Sequence, residues 1–297
     1  MSQQPTGFSD YWNAIDAELA AVPARPELEA IPMRTTHFCT VYWAKITSIG
    51  PYRIGGYLSI PHGDGPFPAI MQTPKYGSVN HVPDYNDRKR YVMFTLMHRG
   101  QRLTDSPWAA AYPGLLTDGI ASKETYIYRS ILADCLRGAE FLQNQPDVDS
   151  SRIAITGDDL ALIAAARRPG FSYVHAAGLM FYRLMENRER TSAYPVEELN
   201  DYLRACPEQS ESVAGTLAFF DPVHHVSTIT ARTLLSVGDG GAVGGPEWLQ
   251  PLKDQIGGAV EEYRVTHRGG TDNDSIDAWL ANQLGREPMS KFRRTLP

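Results

Sequence analysis

The sequence predicts an α/β protein, a mostly parallel central sheet flanked by helices. Three observations predict it. From about residue 125 onward, strand-like and helix-like segments alternate, which requires parallel strands joined by crossover helices. Several strand candidates are nearly continuous apolar runs, the kind that a parallel sheet buries on both faces. One of them, Ile153-Ala154-Ile155-Thr156, runs through Gly157 directly into a helical pattern.

Residues 8–21 read as an amphipathic helix because Phe8, Trp12, Ile15 and Leu19 recur at helical spacing, and Pro23 and Pro26 stop it. Cys39 to Ser48 and Tyr52 to Ile60 are β-rich runs joined by Gly50-Pro51, a hairpin signal. Phe67 to Gln72 and Tyr91 to Met97 are short buried-strand patterns. Residues 125–144 carry a long helical stripe that Asn144 to Asp149 break. The strand Arg152 to Thr156 follows, then a helix from Leu160 to Arg167, ended by Pro169. Ala176 to Met180 is a further strand candidate. Residues 183–219 read as helices without a strand, with Pro195 at a helix start and Pro207 as a breaker. An insertion of this kind often covers the site at the carboxyl ends of the strands. Thr233 to Val237 and Glu261 to Val265 are the last strands, with helices from about Pro246 and Asp274. The reading is a single domain over 1–297, with a helical extension over about 1–30 and a helical cap over about 183–219.

Composition narrows the function classes. The 297 residues are 42% hydrophobic and 21% charged, enough apolar content for a sizeable core and too little charge for wholesale disorder. Thirty-four acidic against 28 basic residues give a net charge of −6, and no basic face argues for nucleic acid. The dense basic runs, Arg88-Lys89-Arg90 and Arg293-Arg294, read as a solvated turn and a frayed tail. Three scattered cysteines, Cys39, Cys135 and Cys206, fit neither a disulfide scaffold nor a zinc cluster. No signal peptide and no apolar run of about 20 residues is visible, so a cytoplasmic protein without a membrane span is expected.

The segment Gly157-Asp158-Asp159-Leu160-Ala161 is the most informative in the chain. Serine hydrolases place their nucleophile in G-x-S-x-G, with small residues two positions either side because the turn is sharp. Gly157 and Ala161 meet that need, and Asp159 occupies the nucleophile position. The same two aspartates also suit plain capping of the helix that follows, since a carboxylate accepts the free N–H groups there.

Further motifs run in order along nearly the whole chain. They are Phe8-Ser9-Asp10-Tyr11-Trp12, Tyr52-Arg53-Ile54-Gly55-Gly56-Tyr57-Leu58, Pro74-Lys75-Tyr76-Gly77, Arg99-Gly100-Gln101, Tyr128-Arg129, Asp134-Cys135-Leu136-Arg137, Phe220-Asp221-Pro222 and Leu234-Leu235-Ser236-Val237-Gly238. Together they resemble the acetyl xylan esterase and cephalosporin C deacetylase family of α/β hydrolases. The resemblance implies the α/β-hydrolase fold, a Ser-His-Asp triad, and an oxyanion hole made by the backbone N–H groups of Tyr76 and Leu160. It implies that Arg99 and Gln101 brace the site loops or support the structure, that the ligand is a small molecule, and that the chain is a homo-oligomer. No cofactor is implied.

The departures matter more. The family turn G-G-S-Q-G stands here as Gly157-Asp158-Asp159-Leu160-Ala161. The family acid falls near Gly241 and the family histidine near Gly270 or Thr271. An acyl-serine mechanism needs a hydroxyl that a base can deprotonate, and the turn offers none. Asp159 with His267 and Asp239 could form an Asp-His-Asp set like that of haloalkane dehalogenases and epoxide hydrolases. As a nucleophile Asp159 suits an sp³ carbon, because attack on an acyl carbon gives a high-energy anhydride. It could also serve as a general base, although helix N–H donors lower its basicity. Competing readings are a binding protein that kept the scaffold, and an esterase with a displaced serine such as Ser78. His267 also reads as a surface histidine at a strand end. His98 and the pair His224-His225 lack a third ligand, so no metal site is expected.

Overall fold

The computed structural model describes residues 3–238 and 245–290. Among them, nine strands form one sheet: β1 (Glu27–Ala30), β2 (Cys39–Ser48), β3 (Tyr52–Pro61), β4 (Phe67–Gln72), β5 (Val92–Met97), β6 (Val148–Gly157), β7 (Tyr173–Ala176), β8 (Arg232–Val237) and β9 (Val260–Arg264). Their spatial order is β1-β2-β3-β5-β4-β6-β7-β8-β9. The first three strands pair antiparallel and β3 meets β5 antiparallel; every pairing from β5 to β9 is parallel. Helices are α1 (Phe8–Ala21), α2 (Asp87–Arg90), α3 (Ile127–Gln143), α4 (Asp159–Arg167), α5 (Leu184–Asn187), α6 (Val196–Ala205), α7 (Ser210–Ala218), α8 (Pro246–Lys253) and α9 (Gly269–Leu284).

Side-chain alternation along the strands sorts the core into two layers. On β4, Ala69 and Met71 join the large cluster that takes in α1, α3 and α4, whereas Ile70 turns to the smaller cluster with Met93, Ala154, Leu280 and Leu284 under α9. The first helix docks through its apolar stripe: Phe8, Trp12, Ile15 and Leu19 are buried. Trp12 donates its indole N–H to the Phe219 carbonyl at 3.1 Å. Residues 183–219 contain α5, α6 and α7 between β7 and β8.

Four expectations change. The N-terminal extension is not purely helical, because Glu27–Ala30 pairs with β2 as an exposed edge strand; its alternating charges carry no burial signal. The strand expected over Ala176 to Met180 is Tyr173–Ala176. Gly178, at φ 66°, turns the following residues into a loop. Arg88-Lys89-Arg90 is not wholly a solvated turn. Arg90 is buried between Asp87 at 2.8 Å and Asp277 of α9 at 2.5 Å, because a guanidinium removed from water needs carboxylate partners. The last helix starts earlier than Asp274, at Gly269. Arg293-Arg294 lies outside the described residues.

Arg90→Ala leaves two buried carboxylates without their cation. The expected loss is about 3–5 kcal/mol in urea-induced unfolding; a loss under about 1 kcal/mol would show that this knot does not hold α9 to the sheet.

Candidate functional site

Strand β6 ends at Gly157, and α4 begins two residues later. Glycine is needed at 157 because a Cβ there would lie 1.9 Å from the Thr73 hydroxyl oxygen, where β6 passes the end of β4. Asp158 is the N-cap. Its Oδ1 accepts the Leu160 N–H at 3.0 Å, which satisfies one of the free donors at the helix start. Asp159 is the first helical residue and is fully buried. Its carboxylate points at the loop after β7: Oδ2 accepts the N–H groups of Met180 and of Phe181 (3.0 Å), and Oδ1 accepts that of Tyr182 (3.1 Å). The turn carries no left-handed residue; the described non-glycine residues with positive φ are Arg25, Arg102, Arg183 and His267. The strain that marks a nucleophile elbow is therefore absent.

Asp221 completes this acidic knot. Its two oxygens accept the N–H groups of Arg183 and Val223, both at 3.1 Å. Residues 180–183 are thus gripped by Asp159 on one side and Asp221 on the other. Burial pushes all three carboxyls upward. For Asp158 the Leu160 N–H and the Lys75 charge pull the other way. For Asp159 the Asp158 charge adds to burial, and the main-chain bonds oppose it. Asp221 is pushed up to about 7, against its own N–H bonds and with a contribution from the Asp159 charge.

The other expected site residues divide. Tyr76 stands in the loop Lys75 to Ser78, where Gly77 has φ 63°, and its hydroxyl donates to the Glu198 carboxylate. Leu160 has its N–H taken by Asp158. Arg99 is buried and bound to Asp134 through Nε (3.0 Å) and Nη2 (2.7 Å), and it also donates to the Ile49 carbonyl. Gln101, buried, donates to the Ser78 carbonyl at 3.2 Å and the Tyr112 hydroxyl at 3.3 Å, which ties the two site loops together. Between them Gly100, at φ 83°, leaves room for the Trp108 ring, which a Cβ would meet at 2.2 Å. His267 is exposed, at φ 59° in the turn between β9 and α9, whereas the Asp159 carboxylate is buried among main-chain donors. Asp239 lies outside the described residues. Ser78 is exposed in its turn.

Two of the other histidines weighed as metal ligands, His98 and His225, belong to the core. His98 is buried and pushed down to about 4 by that burial. His225 packs edge-on against Phe8 and Trp12, and burial pushes it down to about 3. Among the described residues no group of three His, Cys, Asp or Glu side chains is placed to hold a metal ion, and no helix is long and apolar enough to cross a membrane.

Sequence reading missed three contributors. Glu198 of α6 is buried and accepts the N–H groups of Leu116 (2.8 Å) and Thr117 (3.3 Å) as well as the Tyr76 hydroxyl, so it fixes the cap onto the Tyr76 loop. Beside Glu197 in a helix that looks surface-exposed, it gives no sequence signal. Asp134 pairs with Arg99; both belong to motifs of the family resemblance, but only the fold joins them. His175 of β7 lies 3.0 Å from the Ser236 hydroxyl of β8 and pairs in register with Thr156. His175 also lines a cleft of about 180 Å³ between α9 and the carboxyl ends of β4 to β7.

Comparisons with known proteins agree with this architecture. The model of the acetyl xylan esterase family, AXE1, matches residues 1–252. The acetyl esterase Axe7A of Xylanibacter ruminicola is 22% identical over 258 residues, which is 80% of this chain; the chain spans 57% of that relative's length. Acetyl xylan esterase 1 from Thermoanaerobacterium sp. JW/SL YS485 superposes with a TM-score of 0.80 at 20% identity, covering 94% of this chain and 95% of that one. The acetyl xylan esterase from Paenibacillus sp. R4 gives a TM-score of 0.79 at 22% identity over 90% of each chain. These superpositions establish the α/β-hydrolase fold.

Two outcomes follow from the acidic knot. Asp159→Ala strands three buried N–H donors and is expected to cost roughly 3 kcal/mol or more in unfolding free energy, whereas an equal loss in Asp158→Ala would deny Asp159 its special weight. Asp221 has a folded value near 7 against an ordinary 3.8. A group raised in this way binds more protons folded than unfolded. Its stabilising share is complete below about pH 4 and is lost as pH rises towards and through 7. Urea midpoints measured from pH 4.5 to 7.5 should therefore decline less steeply in Asp221→Asn than in the parent chain.

Proposed function

The chain belongs to the acetyl xylan esterase family, and from that premise we propose that it is a member that does not deacetylate through an acyl-serine and has kept the scaffold to bind a small molecule. The observation that carries this reading is that both carboxylates of the 157–161 turn are committed to main-chain N–H groups. Asp159 holds 180–182, and Asp158 takes the Leu160 N–H that an esterase needs for its oxyanion. A transition-state oxyanion gains from a donor only if that donor is free when charge develops. Here an internal carboxylate already stands at it. A carboxylate nucleophile likewise needs a lone pair facing substrate, and Asp159 is fully buried.

A second reading has one observation in its favour. Burial and the neighbouring Asp158 raise the Asp159 carboxyl, the direction in which a general base at neutral pH must move. In that reading Asp159 abstracts a proton or attacks an sp³ carbon, with His267 and Asp239 as helpers, after the 180–182 loop releases it.

One set of assays separates the two. A panel of acetyl esters, alkyl halides and epoxides is expected to give no turnover above buffer, and a fluorophosphonate reagent no labelling. Turnover that disappears in Asp159→Asn at unchanged melting temperature would establish the Asp-based enzyme instead. Serine labelling would restore a displaced-serine esterase.

A further inference from the structure

The register of the parallel strands builds a cleft with two chemistries. On the face covered by α9, Ile70 of β4 pairs with Met93 of β5 and Ala154 of β6. Two residues further along each strand, on the same face, the row becomes Gln72, Thr95, Thr156 and, on β7, His175. The sheet therefore ends in a polar rim one step above an apolar floor. Helix α9 closes the other side with Ile276 and Leu280 above the floor and Asn273 at the rim, and Lys75 stands at the mouth.

The charges in this cleft are set apart at its two ends. Asp87 and Asp277 line its inner end, and both are ion-paired to the buried Arg90. Lys75 has no ion-pair partner among the described residues, and its side chain is exposed. Its positive charge is felt by Asp158, whose carboxylate stays bound to the Leu160 N–H. Gln72, Thr156 and Asn273 likewise make no side-chain hydrogen bond to another described residue, so an ammonium, two amides and a hydroxyl converge on one opening. A polar rim with convergent donors above an apolar floor is the usual construction of a small-ligand site.

We propose that this cleft binds a small monocarboxylate with a short apolar tail. The carboxylate accepts from Lys75, Thr156 and Asn273 at the sheet edge, and the tail lies between Ile70, Met93 and Ile276. The proposal rests on the binding-protein reading above and gives that reading its ligand class. An anion is favoured because the uncommitted charge at the mouth is a cation. A short chain is favoured because the cleft measures about 180 Å³ and the Arg90 knot closes its inner end.

The test uses hexanoate, hexanol and hexylamine with the full chain, followed by calorimetry and melting temperature. Hexanoate is expected to bind saturably and raise the melting temperature, since a ligand that binds the folded state stabilises it. Lys75→Gln should weaken hexanoate at least tenfold, and Asn273→Trp, a rim substitution that keeps the floor intact, should abolish binding. Hexanol binding as tightly as hexanoate would overturn the carboxylate assignment. Absence of saturable hexanoate binding, or binding indifferent to both substitutions, would overturn the site. These readouts involve no turnover, so a failure here is distinct from the ester and fluorophosphonate results that decide whether the chain is an enzyme.

Discussion

The carboxylate of Asp159 organises the carboxyl edge of the sheet. A buried charge is tolerated only where donors surround it, and here three consecutive main-chain N–H groups, at Met180, Phe181 and Tyr182, supply that solvation. The loop after β7 is shaped by this demand, and Asp221 continues the grip at Arg183. Helix α5 begins at the next residue, so its departure from the sheet is set by the same knot. The far side of the insertion is fixed by Glu198, which binds the 115–117 turn and the Tyr76 hydroxyl. Two buried acids, one at each end, thus hold the helical insertion to the rest of the fold.

A hydroxyl and a carboxylate at the same turn lead to different local structures. An esterase elbow holds its nucleophile in a strained conformation that exposes it, and that strain is sustained by the surrounding fold. With aspartate at the position, the side chain has more to gain from main-chain donors than from facing the cleft. The turn relaxes into an ordinary helix start, with Asp158 as cap. The turn has no left-handed residue, and the Leu160 N–H is occupied by the cap Asp158. What persists is support: Arg99 on Asp134, and Gln101 linking the Ser78 and Tyr112 loops. Such contacts stabilise the scaffold whether or not chemistry takes place above it.

Much of the fold was legible because it rests on periodicity. The α1 stripe, the β2–β3 hairpin, the apolar runs of β4 and β5, and the long α3 helix each follow from local pattern. Elements that lack a burial signal were not legible. The exposed β1 strand exists only because β2 offers an edge, and the short β7 was displaced by the apolar loop beyond it. The candidate site was less legible than the fold. Sequence located the turn and showed that residues 157–161 carry no serine. It did not reveal which way Asp159 faces, since a carboxylate at the first position of a helix suits both a cleft and a loop behind it.

The order of residues by itself determined the family, the alternation of strands and helices, and the absence of a hydroxyl at the 157–161 turn, all of which are written in neighbouring positions. Tertiary structure alone decided the partners of the charges. Arg90 meets Asp277, Arg99 meets Asp134, and Asp159 meets the 180–182 backbone across separations that no local pattern spans. The physical reason is that burying an ion is costly unless its counter-charge or donors arrive at the same point. Where they arrive is set by the packing of the whole sheet.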